Sequence, residues 1–99
     1  MDRQIKMIDT GARAMQAKLA MDRDDALEVI TKALVAELDD RSTKLDSVLR
    51  SSKAEQTVFL RGVLSKVEKI LRKKDEFDEE MVRRGIQDVM QVWHESWSL

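Results

Sequence analysis

The chain has 99 residues, a length typical of one domain (residues 1–99) that buries an adequate core without covalent cross-links. It has no cysteine, which excludes disulfide bonds and thiolate metal sites, and its net charge of −1 excludes the basic excess of many nucleic-acid binders. Because proline is absent, glycine is rare and helix-forming residues are abundant, we expect an all-α fold of about four helices, arranged as an antiparallel bundle or a coiled-coil-like assembly.

The N-terminal region carries charges throughout and has no apolar run long enough for a signal peptide or a membrane span. We therefore expect a cytoplasmic protein that has no membrane partner.

The first predicted helix spans residues 2–21, and Gly11 interrupts it, so we expect residues 1–10 to fray. An apolar residue recurs every three or four positions, which is typical of a helix face that packs against a partner helix. This candidate dimer seam consists of Ile5, Ile8, Ala12, Met15 and Leu19.

The second predicted helix spans residues 25–50 and begins at an approximate capping box formed by Asp25 and Glu28. Nine of the thirteen residues from 26 to 38 are apolar, which is too many for one stripe on an exposed helix. We expect this helix either to be the central one or to be covered by a second subunit. Its apolar pattern thins beyond residue 41, so the helix either continues to about residue 50 or kinks near Ser42.

The last two predicted helices span residues 53–74 and 78–97. Ser52 and Glu55 form a capping box before the first of them, and Asp78 is a favourable N-cap for the second. Short connections of this kind make successive helices antiparallel neighbours.

Three glycines, Gly11, Gly62 and Gly85, lie beside the apolar stripes of three different predicted helices. Two interpretations remain open. Each glycine either lets a neighbouring helix approach closely or is a helix end or tolerated defect that costs about 1 kcal/mol relative to alanine.

Charge is distributed unequally near the C-terminus. Residues 51–74 contain seven basic and two acidic side chains, whereas residues 75–99 contain two basic and seven acidic ones. We favour an interpretation in which the basic helix packs antiparallel to the acidic one, with their opposite charges facing. The alternative is a phosphate-binding face on the basic helix, formed by Lys66, Lys69, Arg72, Lys73 and Lys74.

The residues needed for catalysis are few. One histidine and no cysteine cannot form a common structural zinc site, and the sequence has neither a phosphate-binding glycine loop nor an HExxH motif. Many carboxylates instead precede a basic residue by four positions, which is typical of helix surfaces. These pairs are Glu28–Lys32, Glu37–Arg41, Glu68–Arg72 and Glu80–Arg84. We therefore expect no enzyme activity, no cofactor and no metal site.

The C-terminal sequence WHESWSL contains both tryptophans and the histidine. Trp93 continues the apolar stripe of the last helix, so we expect it to lie mainly in the core, whereas His94 points away and is expected to be solvated. Trp97 and Leu99 lie too close to the chain end to be covered easily, and we expect them to dock either on the protein's own bundle or on a partner. The predicted partner-binding residues are therefore Met90, Trp93, Trp97 and Leu99.

These features favour a small non-catalytic adaptor, regulator or chaperone that binds another protein through an apolar helical surface and forms homo-oligomers, such as a homodimer. The alternative is a nucleic-acid-binding regulator that uses the basic helix at residues 53–74.

Overall fold

The computed structural model describes residues 3–97, with side chains through residue 96. Helices cover 84% of the described residues, and no strand occurs among them, which confirms the all-α prediction. The described part of the chain contains five helices rather than the four expected. They are α1 (Arg3–Leu19), α2 (Arg23–Arg41), α3 (Leu45–Leu49), α4 (Lys53–Arg72) and α5 (Glu79–Trp97).

The four long helices form an antiparallel bundle in which each one packs against two others. Helix α1 lies between α2 and α5, and α4 completes the ring by packing against the same two helices. Gly11 of α1 lies beside Trp93 of α5, and Gly85 of α5 lies beside Leu19 of α1, so these two helices run in opposite directions. The expected central position of α2 is therefore wrong, because α2 packs against two of the long helices, as each of the other three does. Its surplus apolar residues lie partly at the surface, where Val35 is 53% exposed.

Side-chain caps define where the long helices begin. The carboxylate of Asp22 accepts a hydrogen bond from the Asp25 backbone N–H at 2.9 Å, so α2 begins at Arg23 and the predicted cap at Asp25 is wrong. The predicted cap at Ser52 is confirmed, because its hydroxyl accepts from the Glu55 N–H at 3.2 Å. Asp78 likewise accepts from two backbone N–H groups at the start of α5, at 2.8 and 3.2 Å.

The segment predicted as one helix over residues 25–50 breaks at Ser42, which has a left-handed backbone conformation with φ of 51°. The Ser42 N–H donates to the Asp39 carbonyl, and the Thr43 N–H donates to the Leu38 carbonyl, each at 3.1 Å. These bonds satisfy the last carbonyls of α2 and end the helix, as left-handed caps commonly do. The second of the two expected outcomes, a kink near Ser42, is therefore the correct one.

A buried glutamine fastens the short helix α3 to α4. The side-chain amide of Gln56 donates to the carbonyl oxygens of Leu49 and Ser51, both at 3.2 Å, and to that of Val48 at 3.4 Å. These carbonyls lie in the last turn of α3 and just after it, where the end of a helix leaves carbonyls without helical partners. Gln56 thereby holds α3 across the end of the bundle at which α2 finishes and α4 begins.

Candidate protein-binding surface

The candidate dimer seam of α1 lies mostly inside the bundle. Ala12, Met15 and Leu19 are buried in the single core cluster, Ile8 packs against its edge, and Ile5 alone of the five is largely exposed, at 59%. The seam therefore packs against helices of the same chain rather than offering a free face to a second copy. An interface between copies would have to lie elsewhere on the surface.

Trp93 belongs to the core, as its place in the apolar stripe of α5 predicts. Its side chain is fully buried, and the indole N–H donates to the Met7 backbone carbonyl at 3.1 Å. A Cβ atom added at Gly11 would lie 3.1 Å from two carbon atoms of the indole ring, so the glycine leaves room for the ring against α1. The prediction that Trp93 binds a partner is wrong, because no part of its side chain reaches the surface.

Of the other predicted partner-binding residues, the structure describes the side chain of Met90 but not those of Trp97 and Leu99. Met90 is half-buried and lies in a groove on the outer side of the bundle. Trp97 is the last residue of α5, two helical turns after Met90, and its side chain lies outside the described residues, as does Leu99.

The groove that contains Met90 runs between α4 and α5 and has a volume of about 290 Å³. Leu64, Ile86 and Met90 supply its apolar surface, and polar side chains from both helices surround them. The complete lining of this α4–α5 groove is Arg61, Leu64, Ser65, Glu68, Ile86, Gln87 and Met90. Ile86 packs only against the edge of the core and remains half-buried.

A second recess, of about 400 Å³, lies where α2 ends and α3 crosses α4. Its apolar part includes Val48, Phe59 and Val58, and Val58 is 50% exposed. Its polar groups are largely engaged within the chain, because Arg41 bonds to Glu37 and the hydroxyl of Ser51 donates to the Val48 carbonyl. This recess therefore offers fewer free polar groups to a partner than the α4–α5 groove does.

A network of ion pairs joins α2 to α4 around a buried carboxylate. Glu37 is only 5% exposed and pairs with Arg41 of its own helix and with Lys66 of α4, whose Nζ lies 3.3 Å from Glu37 Oε2. Lys66 also donates to Asp40, and this hydrogen bond lowers the pKa of the Asp40 carboxyl and raises the pKa of Lys66. The Glu37–Arg41 pair is thus not the surface pair expected from its spacing. The pairs Glu28–Lys32, Glu68–Arg72 and Glu80–Arg84 are confirmed as helix-surface pairs.

The candidate phosphate-binding residues do not form one set of free cations. Lys66 is occupied by Glu37 and Asp40, and Arg72 bonds to Glu68 at 2.9 Å. Lys69 and Lys73 are exposed, and Lys74 is half-buried.

Helices α4 and α5 pack side by side, as expected, and the ion pair found between them among the described residues lies at the connecting turn. Arg72 and Glu79, at the turn between the two helices, approach to 3.8 Å. Farther along, the α4–α5 groove places Leu64 beside Ile86 and Met90, so apolar contact rather than ion pairing dominates this interface.

Reactive groups are scattered over the described part of the chain. Within residues 3–96, no three side chains of His, Cys, Asp or Glu lie close enough together to hold a metal ion. His94 is half-buried near the end of α5. In the same described region, no helix is both long enough and apolar enough to cross a bilayer.

Comparisons with models of known protein families, with curated proteins and with solved structures found no match.

Proposed function

We propose that this chain is a non-catalytic protein-interaction module, acting as an adaptor, regulator or chaperone, that binds a partner protein through the α4–α5 groove. The observation that carries the proposal is the half-burial of Ile86 and Met90 between two packed helices, with Arg61 and Glu68 beside them. A groove between two helices accepts the apolar face of a third helix. Methionine adapts its shape to irregular partners, and methionine and arginine are enriched in protein interfaces.

The C-terminal residues extend this proposal. Trp97 follows Met90 by seven residues, or about two helical turns, on α5. We propose that Trp97 and Leu99 contribute to the same partner contact. A cytoplasmic location remains a prediction from the sequence.

The alternative function, nucleic-acid binding through the basic helix at residues 53–74, has less support. Two of its five candidate cations, Lys66 and Arg72, already bond to carboxylates of the same chain. Weak retention on a polyanion column at moderate salt would be expected for the protein-interaction module, whereas strong retention lost as salt rises would favour the alternative.

The proposal is tested by comparing proteins captured from cell extract by the tagged full chain and by two variants. Met90→Asp places a charge in the α4–α5 groove, and Val35→Asp places the same charge on the exposed face of α2 as the matched control. We expect a partner that is retained by the wild type and by Val35→Asp but lost by Met90→Asp.

Circular dichroism must first show that both variants keep the wild-type helix content. A partner retained equally by all three proteins would place binding outside the groove and overturn the proposal. The absence of any specific partner would overturn it as well.

A further inference from the structure

We propose that the α4–α5 groove binds a second copy of this chain, with the two α4 helices packed antiparallel about a twofold axis between Leu64 and Ser65. This inference rests on the proposed function, since it names the partner of the same groove. It does not use the α1 seam, which is buried within one chain.

The charged residues along the groove are arranged so that they complement a second copy of the same chain. Arg61 precedes the axis by three to four residues, and Glu68 follows it by the same separation, so an antiparallel second copy places Arg61 opposite Glu68 of that copy. The twofold axis then generates the same pair again, as isologous interfaces require. Because each copy supplies both an arginine and a glutamate, the interface contains two Arg61–Glu68 ion pairs.

Arg61 and Glu68 do not satisfy each other within one chain. Seven residues of α-helix separate them by about 10.5 Å along the axis of α4. Glu68 bonds to Arg72 at one oxygen, and its side chain is still partly exposed, so it can accept a second donor. Lys69 does not line the groove and lies on another side of α4, so it does not oppose Arg61 of the second copy in this arrangement.

The surface near the axis also permits close packing of two helices. Ser65 is small and exposed, which allows two helices to approach to the usual interaxial distance of about 8–10 Å. Ile86 and Met90 of α5 lie on one side of the contact and supply its apolar surface together with Leu64 of α4. The twofold axis repeats each of these apolar side chains, so the dimer interface contains twice the apolar area of one groove.

The test is a charge-exchange experiment on the full chain, measured by sedimentation velocity and light scattering from about 1 μM to about 500 μM, a range that brackets micromolar affinity. We expect the wild type to reach twice the monomer mass within this range. Arg61→Glu and Glu68→Arg should each weaken dimerisation about tenfold or more, because each brings like charges together at two places. The double variant should recover affinity to within about threefold of wild type, because the two charges exchange places.

Recovery in the double variant identifies contact between copies, because neither reversed side chain gains a partner of opposite charge within its own helix. The residues four positions from residue 61 are Thr57 and Ser65, which carry no charge. Those four positions from residue 68 are Leu64 and Arg72, and Arg72 would repel the arginine introduced there.

Lys44→Glu, at the distant N-cap of α3, is the matched control and should leave dimerisation unchanged. Circular dichroism of every variant must show wild-type helix content. If a single variant has low helix content, the milder variants Arg61→Gln and Glu68→Gln are measured in its place.

Three outcomes would overturn the inference: a wild type that stays monomeric throughout, a dimer that survives both single reversals, or a double variant that fails to recover. A monomeric wild type that still loses a different partner protein on Met90→Asp would overturn the second copy as partner but leave the proposed function standing. If the wild type stays monomeric and Met90→Asp loses no partner protein, both the second copy as partner and the proposed function are overturned.

Discussion

At the scale of single residues, the contact between Glu37 and Gly62 decides how α2 and α4 fit together. Removing a carboxylate from water costs several kcal/mol unless cations and hydrogen bonds replace the lost hydration. Arg41 and Lys66 supply the cations. Gly62 supplies the space, because a Cβ atom there would lie 2.2 Å from Oε1 of Glu37, and the carboxylate therefore packs directly on the backbone of α4.

Replacing Gly62 with alanine should destabilise the fold even though alanine is the better helix former. The added methyl group would displace a buried charge from its partners, and we expect a net loss of about 2 kcal/mol or more after the gain of about 1 kcal/mol in helix propensity. Equilibrium denaturation measures this loss. In the double variant Glu37→Ala, Gly62→Ala, the clash is absent, so the combined loss should be smaller than the sum of the two single losses. Additive losses would show that the two residues do not interact.

The burial of Glu37 could not be predicted from the sequence. Its spacing from Arg41 is the same as the spacing of Glu28–Lys32 and the other confirmed surface pairs. The residues that make the difference, Gly62 and Lys66, lie on another helix. Residue spacing within one helix does not reveal partners on another helix. The core position of Trp93 is predictable because the apolar stripe that indicates it lies on the same helix.

At the scale of helices, two glycines set the distance between α1 and α5, with different tolerances. A Cβ atom at Gly85 would lie 2.1 Å from Cδ2 and 2.8 Å from Cγ of Leu19, and 3.3 Å from the Lys18 carbonyl oxygen. A Cβ atom at Gly11 would meet the indole of Trp93 at 3.1 Å and Cγ1 of Ile30 at 3.3 Å. The contact at Gly85 is the closer one, and Leu19 is itself buried and cannot turn away into solvent.

Gly85→Ala should therefore be more destabilising than Gly11→Ala. We expect Gly85→Ala to cost about 1–3 kcal/mol, as overpacking of a well-packed core does. At Gly11 the neighbouring side chains need to shift only slightly, and the gain in helix propensity of up to about 1 kcal/mol offsets much of the cost. Thermal and urea unfolding of both variants would measure the order, and an equal or reversed order would contradict the packing described for Leu19.

Helix α3 depends on Gln56 in a way that gives a second prediction at this scale. Gln56→Leu keeps a side chain of similar size but removes the donor to the carbonyls of Leu49 and Ser51. Unsatisfied buried carbonyls cost about 1–3 kcal/mol, so we expect a loss in this range and faster amide hydrogen exchange in α3 than in the long helices. Thr57→Ala is the control, because its hydroxyl donates only within α4, to the Lys53 carbonyl. Unchanged exchange in α3 would mean that Gln56 does not hold it.

The starts of α4 and α5 were easier to predict from the sequence than the start of α2 or the break within residues 25–50. Ser52 and Asp78 act over three residues or fewer, so their capping chemistry is visible locally. Ser42 ends α2 without the glycine that usually marks a left-handed cap, and the thinning of apolar residues beyond Arg41 was the available signal.

At the scale of the whole molecule, the chain combines balanced net charge with carboxylates that bond to nearby cations. Hydrogen bonds from Lys66, Lys32 and Arg83 lower the pKa values of Asp40, Glu28 and Glu80, respectively. The neighbouring charge of Asp22 raises the pKa of Asp25 and acts in the opposite direction. Each of the three lowered pKa values favours the folded state when that carboxyl is ionised, whereas the raised pKa of Asp25 has the opposite effect.

The ion pair between Asp40 and Lys66 joins α2 to α4, and its lowered carboxyl pKa predicts that this contribution to stability is lost in acid, which Asp40→Asn tests. A carboxyl whose pKa is lower in the folded state releases its proton more readily there, so it stabilises the fold above its ordinary pKa of 3.8 and loses that contribution as pH falls through the folded value. Lys66, with a raised pKa, contributes fully below its ordinary value of 10.5 and loses its contribution as pH rises beyond that value.

We therefore expect Asp40→Asn to have a lower melting temperature than wild type near pH 7 and a melting temperature that depends less on pH between about 5 and about 2. Lys32→Gln is a matched control that removes an ion pair within α2 alone and should leave the Asp40–Lys66 contact intact. Parallel acid profiles for wild type and Asp40→Asn would show that the contact between Asp40 and Lys66 does not stabilise the packing of α2 against α4.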